Sequence, residues 1–353
     1  MNSYDKFANP TVLLRREQRQ VQAILWLVSL SWFAVFIASL GLASWNMALL
    51  RQNPLLGLGR DDLIRAGATA TRRMIESKQW WRLVASPFVS AGAIQLATNT
   101  SALWTFGLFL SSALSPWQLG LLLLLSGAAG ATVSANVSTA YVTAASSGPA
   151  FGLMGGMCAT LMLHHRLFTR HLVTVGMLGA TLALNLWVGA TPFADNSCNV
   201  AGFIVGMLAT MGFLMLRMRS AVFNDREWLL RTVSITSLGL ALLIPLLALL
   251  GLFAGLPLDG CCDKLVCAPS KLWDCNAAQL PAPCTFLTPL PNTTTLLCPQ
   301  TNTAFNYTGL YSPTELQMLC DANCFGASIT TSSNPDTPSS QAGQRATTMS
   351  VPG

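Results

Sequence analysis

The sequence predicts an all-α, polytopic membrane protein that ends in a cysteine-rich segment. Three observations carry this expectation. The chain of 353 residues is 52% hydrophobic and only 10% charged, where soluble domains carry about 25% charged residues. Seven apolar runs, at 22–44, 92–112, 117–137, 148–164, 172–190, 199–216 and 232–256, approach the ~20 residues a helix needs to cross ~30 Å of hydrocarbon. Eight of the ten cysteines follow the last run.

The elements follow in order. Residues 1–21 are polar and charged, with no apolar core before Val21. No cleavable signal peptide is read there, and the first span is expected to act as an uncleaved anchor. The first loop ends in "KQWWRLVASPFVSAG". Trp80 and Trp81 beside Arg82 suit a segment lying in the membrane interface, as a plain aromatic anchor or as a functional loop. In the second span Gln95 and Asn99 are four apart and share a helix face. Two amides in a span should face protein or water, as helix-to-helix glue or as lining of a site.

The fourth span opens with "ASSGPAFGLMGG". Ser147 before Gly148 and Pro149 is ordinary helix-start grammar. That plain cap is the reading the pattern favours; the functional alternative is a serine nucleophile whose oxyanion would meet free backbone N–H groups. Gly148, Gly152, Gly155 and Gly156 leave little bulk on this helix. In "DNSCNVAGFIVG" the sixth span carries Gly202 and Gly206 four apart, with Ala201 and Ala209 nearby. This small-residue face is expected to pack on the fourth span and bring Ser147 and Asn199 together.

Charge sets the expected sidedness. Arg and Lys in the N-terminal segment and in the loops after the fourth and sixth spans fall on one side, taken as cytosolic. The arginine-rich first loop falls on the other. The net charge of +6 is spread over loops without a run, so no nucleic-acid partner is expected. Cys261, Cys262, Cys267, Cys275, Cys284, Cys298, Cys320 and Cys324, with sequons at Asn292 and Asn306, read as a disulfide framework in an oxidising compartment. Zinc binding is the alternative, weakened because the tail has no His and no paired CxxC. Beyond Cys324 the Ser/Thr/Pro/Gln-rich chain is expected to be disordered.

Four of these segments, "WWRL", "NTSALWTFG", "SSGPAFGLMG" and "DNSCNVAGFIVG", resemble the rhomboid family of intramembrane serine proteases in order and spacing, over roughly residues 50–225. The seventh span and the tail "CCDKLVCAPSKLWDC" resemble the plant RHOMBOID-like proteins. The resemblance implies a cytosolic segment 1–21, a six-helix core 22–230, a seventh helix 231–256, a Cys-rich luminal or extracellular segment 257–325 and a tail 326–353. It places the nucleophile at Ser147 beside Gly148, with Ala145 where the family's GxSG has its first Gly. It puts oxyanion-stabilising side chains at Gln95 and Asn99, where the family has HxxxN. Gly202, Gly206, Gly152 and Gly155 become the packing glycines. Asn199 stands where the family keeps its general-base His, and Ser90 where a His often ends the first loop.

The missing base decides the functional expectation. A serine hydroxyl is a weak nucleophile until a base takes its proton, and imidazole does so because it titrates near neutrality. An amide does not. His164 lies 17 residues after Ser147 on the same helix, ~25 Å away at 1.5 Å per residue. His165 and His171 sit in the loop at that far end. Cys198, next to Asn199, is a conceivable odd nucleophile that also lacks a base. The resemblance therefore implies a pseudoprotease that binds transmembrane client proteins within the lipid bilayer, with an active intramembrane endopeptidase as the alternative. A channel is disfavoured because no span centre holds a charged residue. No cofactor or metal is expected. A secretory-pathway membrane, Golgi or plasma, is the expected location.

Overall fold

The computed structural model describes residues 10–164, 171–218, 227–255, 263–280, 285–290, 293–298, 303–309, 311, 315–316, 319–320 and 347–350. Each predicted apolar run is a helix: α1 (Pro10–Leu42), α5 (Ala93–Leu110), α6 (Pro116–Val137), α7 (Ser147–His164), α8 (His171–Gly189), α9 (Asn196–Met218) and α10 (Glu227–Phe253). Five are long and apolar enough to cross a membrane. The other two are α7, apolar but short, and α5, whose first half carries Gln95, Thr98, Asn99 and Thr100. The chain is a polytopic helical membrane protein.

The first loop is ordered by buried polar groups rather than left as a floating anchor. It contains three short helices, α2 (Arg60–Ala66), α3 (Thr71–Glu76) and α4 (Arg82–Ala85). Buried Asn53 donates to the carbonyls of Leu58 and Ala91 and accepts from Leu55 N–H, so its whole amide is paired. Arg82 is buried as well. Its guanidinium donates to the carbonyls of Ile64 and Ala68 and to Gln79 Oε1, which closes the C-terminal end of α2 where Gly67 takes φ +100°. Burial, and after it the charge of Arg73, lowers the Arg82 pKa from its ordinary value. The two tryptophans divide. Trp81 is exposed, under the Arg82 guanidinium. Trp80 turns inward and stacks on Phe253 of α10 at 4.5 Å.

Around the core, α7 packs on α9, α6 and α5, and α10 closes on α9 and α6. Pro116 starts α6, and the Gln118 side chain accepts from Ser115 N–H, pairing a donor the helix cannot. Asn136 at the far end of α6 donates to Thr132 O and, across the interface, to Ala248 O of α10. Beyond α10 the short helix α11 (Asp263–Val266) leads into a loop closed by a disulfide between Cys267 and Cys275.

Residues Met1–Gln279 form one compact unit and Leu280–Gly353 a second. The second is not a loop. Strands β1 (Thr285–Leu290), β2 (Thr293–Cys298), β3 (Thr303–Thr308) and β4 (Thr347–Ser350) form an antiparallel sheet in that order, over a core of Leu296, Tyr307 and disulfide-bonded Cys320. The helical fold class holds for the apolar runs, and this segment adds strands to it. Its Thr-rich runs supply β-branched residues that favour strands. The expected disordered stretch from 326 lies outside the described residues up to 346, and Thr347–Ser350 pairs with β3.

Candidate active site

The site forms where α7 and α9 meet at their first turns. Small residues permit the approach. A Cβ on Gly202 would sit 3.0 Å from Gly148 Cα, one on Gly206 would strike the Gly152 backbone, and one on Gly155 would strike the carbonyl of Phe203. From α6, Ser126 and Gly127 close the third side, 3.1 and 3.4 Å from where a Gly148 Cβ would be. All four expected packing glycines thus lie in helix-to-helix contact.

This packing puts Ser147, the first residue of α7, against Cys198 rather than Asn199. The Ser147 hydroxyl donates to Cys198 Sγ at 3.8 Å, and the thiol donates onward to Ala145 O at 3.6 Å. Both side chains are buried. Asn199 faces the other way. Its Nδ2 donates to Asn196 Oδ1 at 2.8 Å, and both amides crowd Gly189 at the end of α8, where a Cβ would overlap them. Asn199 Oδ1 is buried without a partner. No hydrogen bond joins Ser147 and Asn199 among the described residues.

The expected oxyanion residues separate likewise. Asn99 Nδ2 donates to Ser146 Oγ at 3.2 Å, and Ser146 also bonds Ser90 at 3.1 Å. Asn99 therefore reaches the residue beside Ser147, and its Oδ1 is left unpaired. Gln95 is spent locally: its Oε1 accepts Ala91 N–H at 2.6 Å, fixing the entry to α5. Ser90 joins the network through Ser146, a residue that no motif marks.

Asp195 was also not anticipated. It directly precedes α9 and is completely buried. Its carboxylate accepts from Ser138 Oγ at 2.8 Å and from Ser197 N–H and Oγ at 2.7 Å, with Ser134 a further donor. Burial is the larger influence and raises its pKa, and the serine donors oppose the rise. The arrangement fits the start of a helix, where negative charge is favoured. The carboxylate oxygens are thus occupied by serines, and no hydrogen bond runs from them to Ser147. His164 and His171 begin or end helices away from this corner, and His165 lies outside the described residues. Among the described residues no His, Cys, Asp and Glu cluster is arranged to hold a metal. The site can exchange hydrogen bonds through hydroxyls, amides and a thiol, and among the described residues no imidazole bonds Ser147.

Residues 77–217 match the Rhomboid domain, a span that contains every residue of this corner. The chain is 28% identical to RHOMBOID-like protein 4 of Arabidopsis thaliana over 78% of this chain and 72% of the relative. It is 25% identical to Inactive RHOMBOID-like protein 8 of the same plant, over 78% of this chain and 88% of the relative. Rhomboid protease GluP of Bacillus subtilis (strain 168) is 26% identical over 56% of this chain and 38% of its own length. The matched domain and the relatives agree: residues 77–217 of this chain form a Rhomboid domain.

Proposed function

We propose that this protein is a catalytically inactive rhomboid-like protein that binds transmembrane clients without cutting them. One observation carries the reading. The hydroxyl of Ser147 hydrogen-bonds the Cys198 thiol, while the position where the resemblance puts the base holds Asn199, turned toward Asn196 and Gly189. A positioned general base is worth roughly 10²–10⁴-fold, and without one the serine stays a poor nucleophile. The similarity to a relative named as inactive supports the same reading. We further propose a secretory-pathway membrane, with the N-terminus cytosolic and the cysteine-rich unit luminal or extracellular.

A fluorophosphonate probe on the membrane-embedded full chain tests the proposal. The expected result is no labelling that differs between the parent and Ser147→Ala. Labelling lost in Ser147→Ala would make the protein an active serine endopeptidase. The converse experiment pairs Asn199→His with Gln95→His and measures cleavage of a rhomboid reporter substrate. Some cleavage is expected if the new imidazole turns toward Ser147. Adding Cys198→Ala, which removes the thiol that Ser147 bonds, is expected to increase it.

A further inference from the structure

We infer that the disulfide-closed segment Asp263–Gln279 is a strap that holds the site shut from its open end, and that its release controls access to Ser147 and Cys198. The inference rests on the proposed use of this corner as the client-binding site.

The observations concern two walls. One wall is the connector from α8 to α9, residues 190–195. The other is the strand-like run 142–146 that leads into Ser147. The strap is bonded to both. Ala268 N–H donates to Ala190 O at 2.9 Å, and Val142 N–H donates to Ala278 O at 2.7 Å. Tyr141 and Gln279 form an isolated antiparallel bridge, and Gln279 Nε2 donates to the Tyr141 hydroxyl. The strap also reaches the first loop, where Asp274 N–H donates to Arg51 O and Arg60 Nη1 donates to Gln279 O. Trp273, buried, packs edge-on against Trp187 in the last turn of α8 at 6.2 Å. Val266, Cys267 and Ala278 are buried too.

The wall it holds is strained. Phe193 in the connector is buried at φ +68°, a conformation an aromatic residue keeps only when its surroundings impose it. Its carbonyl accepts from Ala144 N–H at 2.8 Å, so the two walls are bonded to each other beneath the strap. A half-open cleft of ≈330 Å³ borders the connector at Phe193 and the strap at Ala277, with Gln52, Arg60 and Asp61 of the first loop as its other walls. The connector therefore borders open space and has strain to release, and the strap is bonded to both walls. The disulfide keeps the strap compact by limiting the disordered alternatives open to the nine-residue segment Cys267–Cys275.

The test reads Cys198, which is wholly buried beside Ser147. The detergent-solubilised full chain is treated with N-ethylmaleimide, and alkylation of Cys198 and Cys158 is followed peptide by peptide. Cys158, half-buried further along α7, is the internal reference. Trp273→Ala keeps the disulfide, and the pair Cys267→Ser with Cys275→Ser removes it. Each is expected to speed Cys198 alkylation at least about tenfold, equivalent to about 1.4 kcal/mol of lost closure, with Cys158 unchanged. Should the cysteine pair fail to fold, Trp273→Ala decides alone. Cys198 rates within about twofold of the parent overturn the strap. So does a rise at Cys158 in step with Cys198, which means general loosening. Neither rate depends on whether Ser147 reacts with a fluorophosphonate, so this result and the proposed inactivity succeed or fail separately.

Discussion

Asp195 is a carboxylate wrapped in serines, and its energetics follow from that setting. Burial raises its pKa against the pull of Ser134, Ser138 and Ser197. Between the unfolded value near about 4 and the raised folded value, the native state then binds more protons than the unfolded chain. Stability is therefore greatest below that window and falls as pH rises through it, by at most about 1.4 kcal/mol per pH unit for one proton. Thermal unfolding in detergent from pH 4 to 7 checks this, and Asp195→Asn is expected to flatten the dependence. A slope of the opposite sign in the parent would mean that the serine donors outweigh burial. Neither this cluster nor the partner of Ser147 was legible in the sequence. Ser138 and Asp195 are 57 residues apart, so their meeting depends on how the two intervening helices, α7 and α8, pack. Cys198 and Asn199 were indistinguishable by period: at 100° per residue they lie about 40° and 60° to either side of Gly202. Only the packed approach of α7 decides that the thiol, and not the amide, meets the serine.

At the scale of elements, the contact between α7 and α9 is the part the sequence disclosed best, because its cause is local. Gly202 and Gly206 four apart, facing Gly148 and Gly152, form a small-residue seam of the kind that draws membrane helices together. The structure makes the requirement specific. At Gly206 a methyl would strike the Gly152 backbone, which cannot swing aside as a side chain can. Gly206→Ala is expected to cost about 1–3 kcal/mol through overpacking. Gly176→Ala on α8, where a Cβ meets nothing within 4 Å, is expected to be neutral or slightly stabilising. Unfolding titrations of the two variants in mixed micelles give the comparison, and equal losses would show that the seam tolerates separation. The seven helices were legible for a similar reason, since hydrocarbon thickness imposes a length that any apolar run must meet. The strands β1–β3 were not. Pro289, Pro291 and Pro299 interrupt that Thr-rich stretch, and "TTTLLC" has no polar–apolar alternation of its own, so its strand emerges only when β2 pairs on both sides.

For the whole molecule, the proposed orientation rests on an odd number of apolar runs, seven, and on the basic loops that choose the cytosolic side. The cysteine chemistry points the same way. Cys267 and Cys275 are joined, and Cys320 is bonded as well, which suits an oxidising compartment. A strap held by a disulfide would be unreliable in a reducing cytosol, so the proposed control of the site and the proposed orientation stand on common ground. Asn306 offers an independent reading. It lies exposed on β3 in the sequon Asn-Tyr-Thr, and only its Oδ1 is engaged, by the Thr295 hydroxyl at 2.8 Å. The Nδ2 that would carry a glycan is directed away from that bond. Expression in a eukaryotic secretory system is expected to give an endoglycosidase-sensitive mass shift, part of which disappears in Asn306→Gln. An unshifted chain whose last unit is digested by protease added to the cytosolic face of sealed microsomes would reverse the orientation. It would also place the strap where reducing thiols can open it.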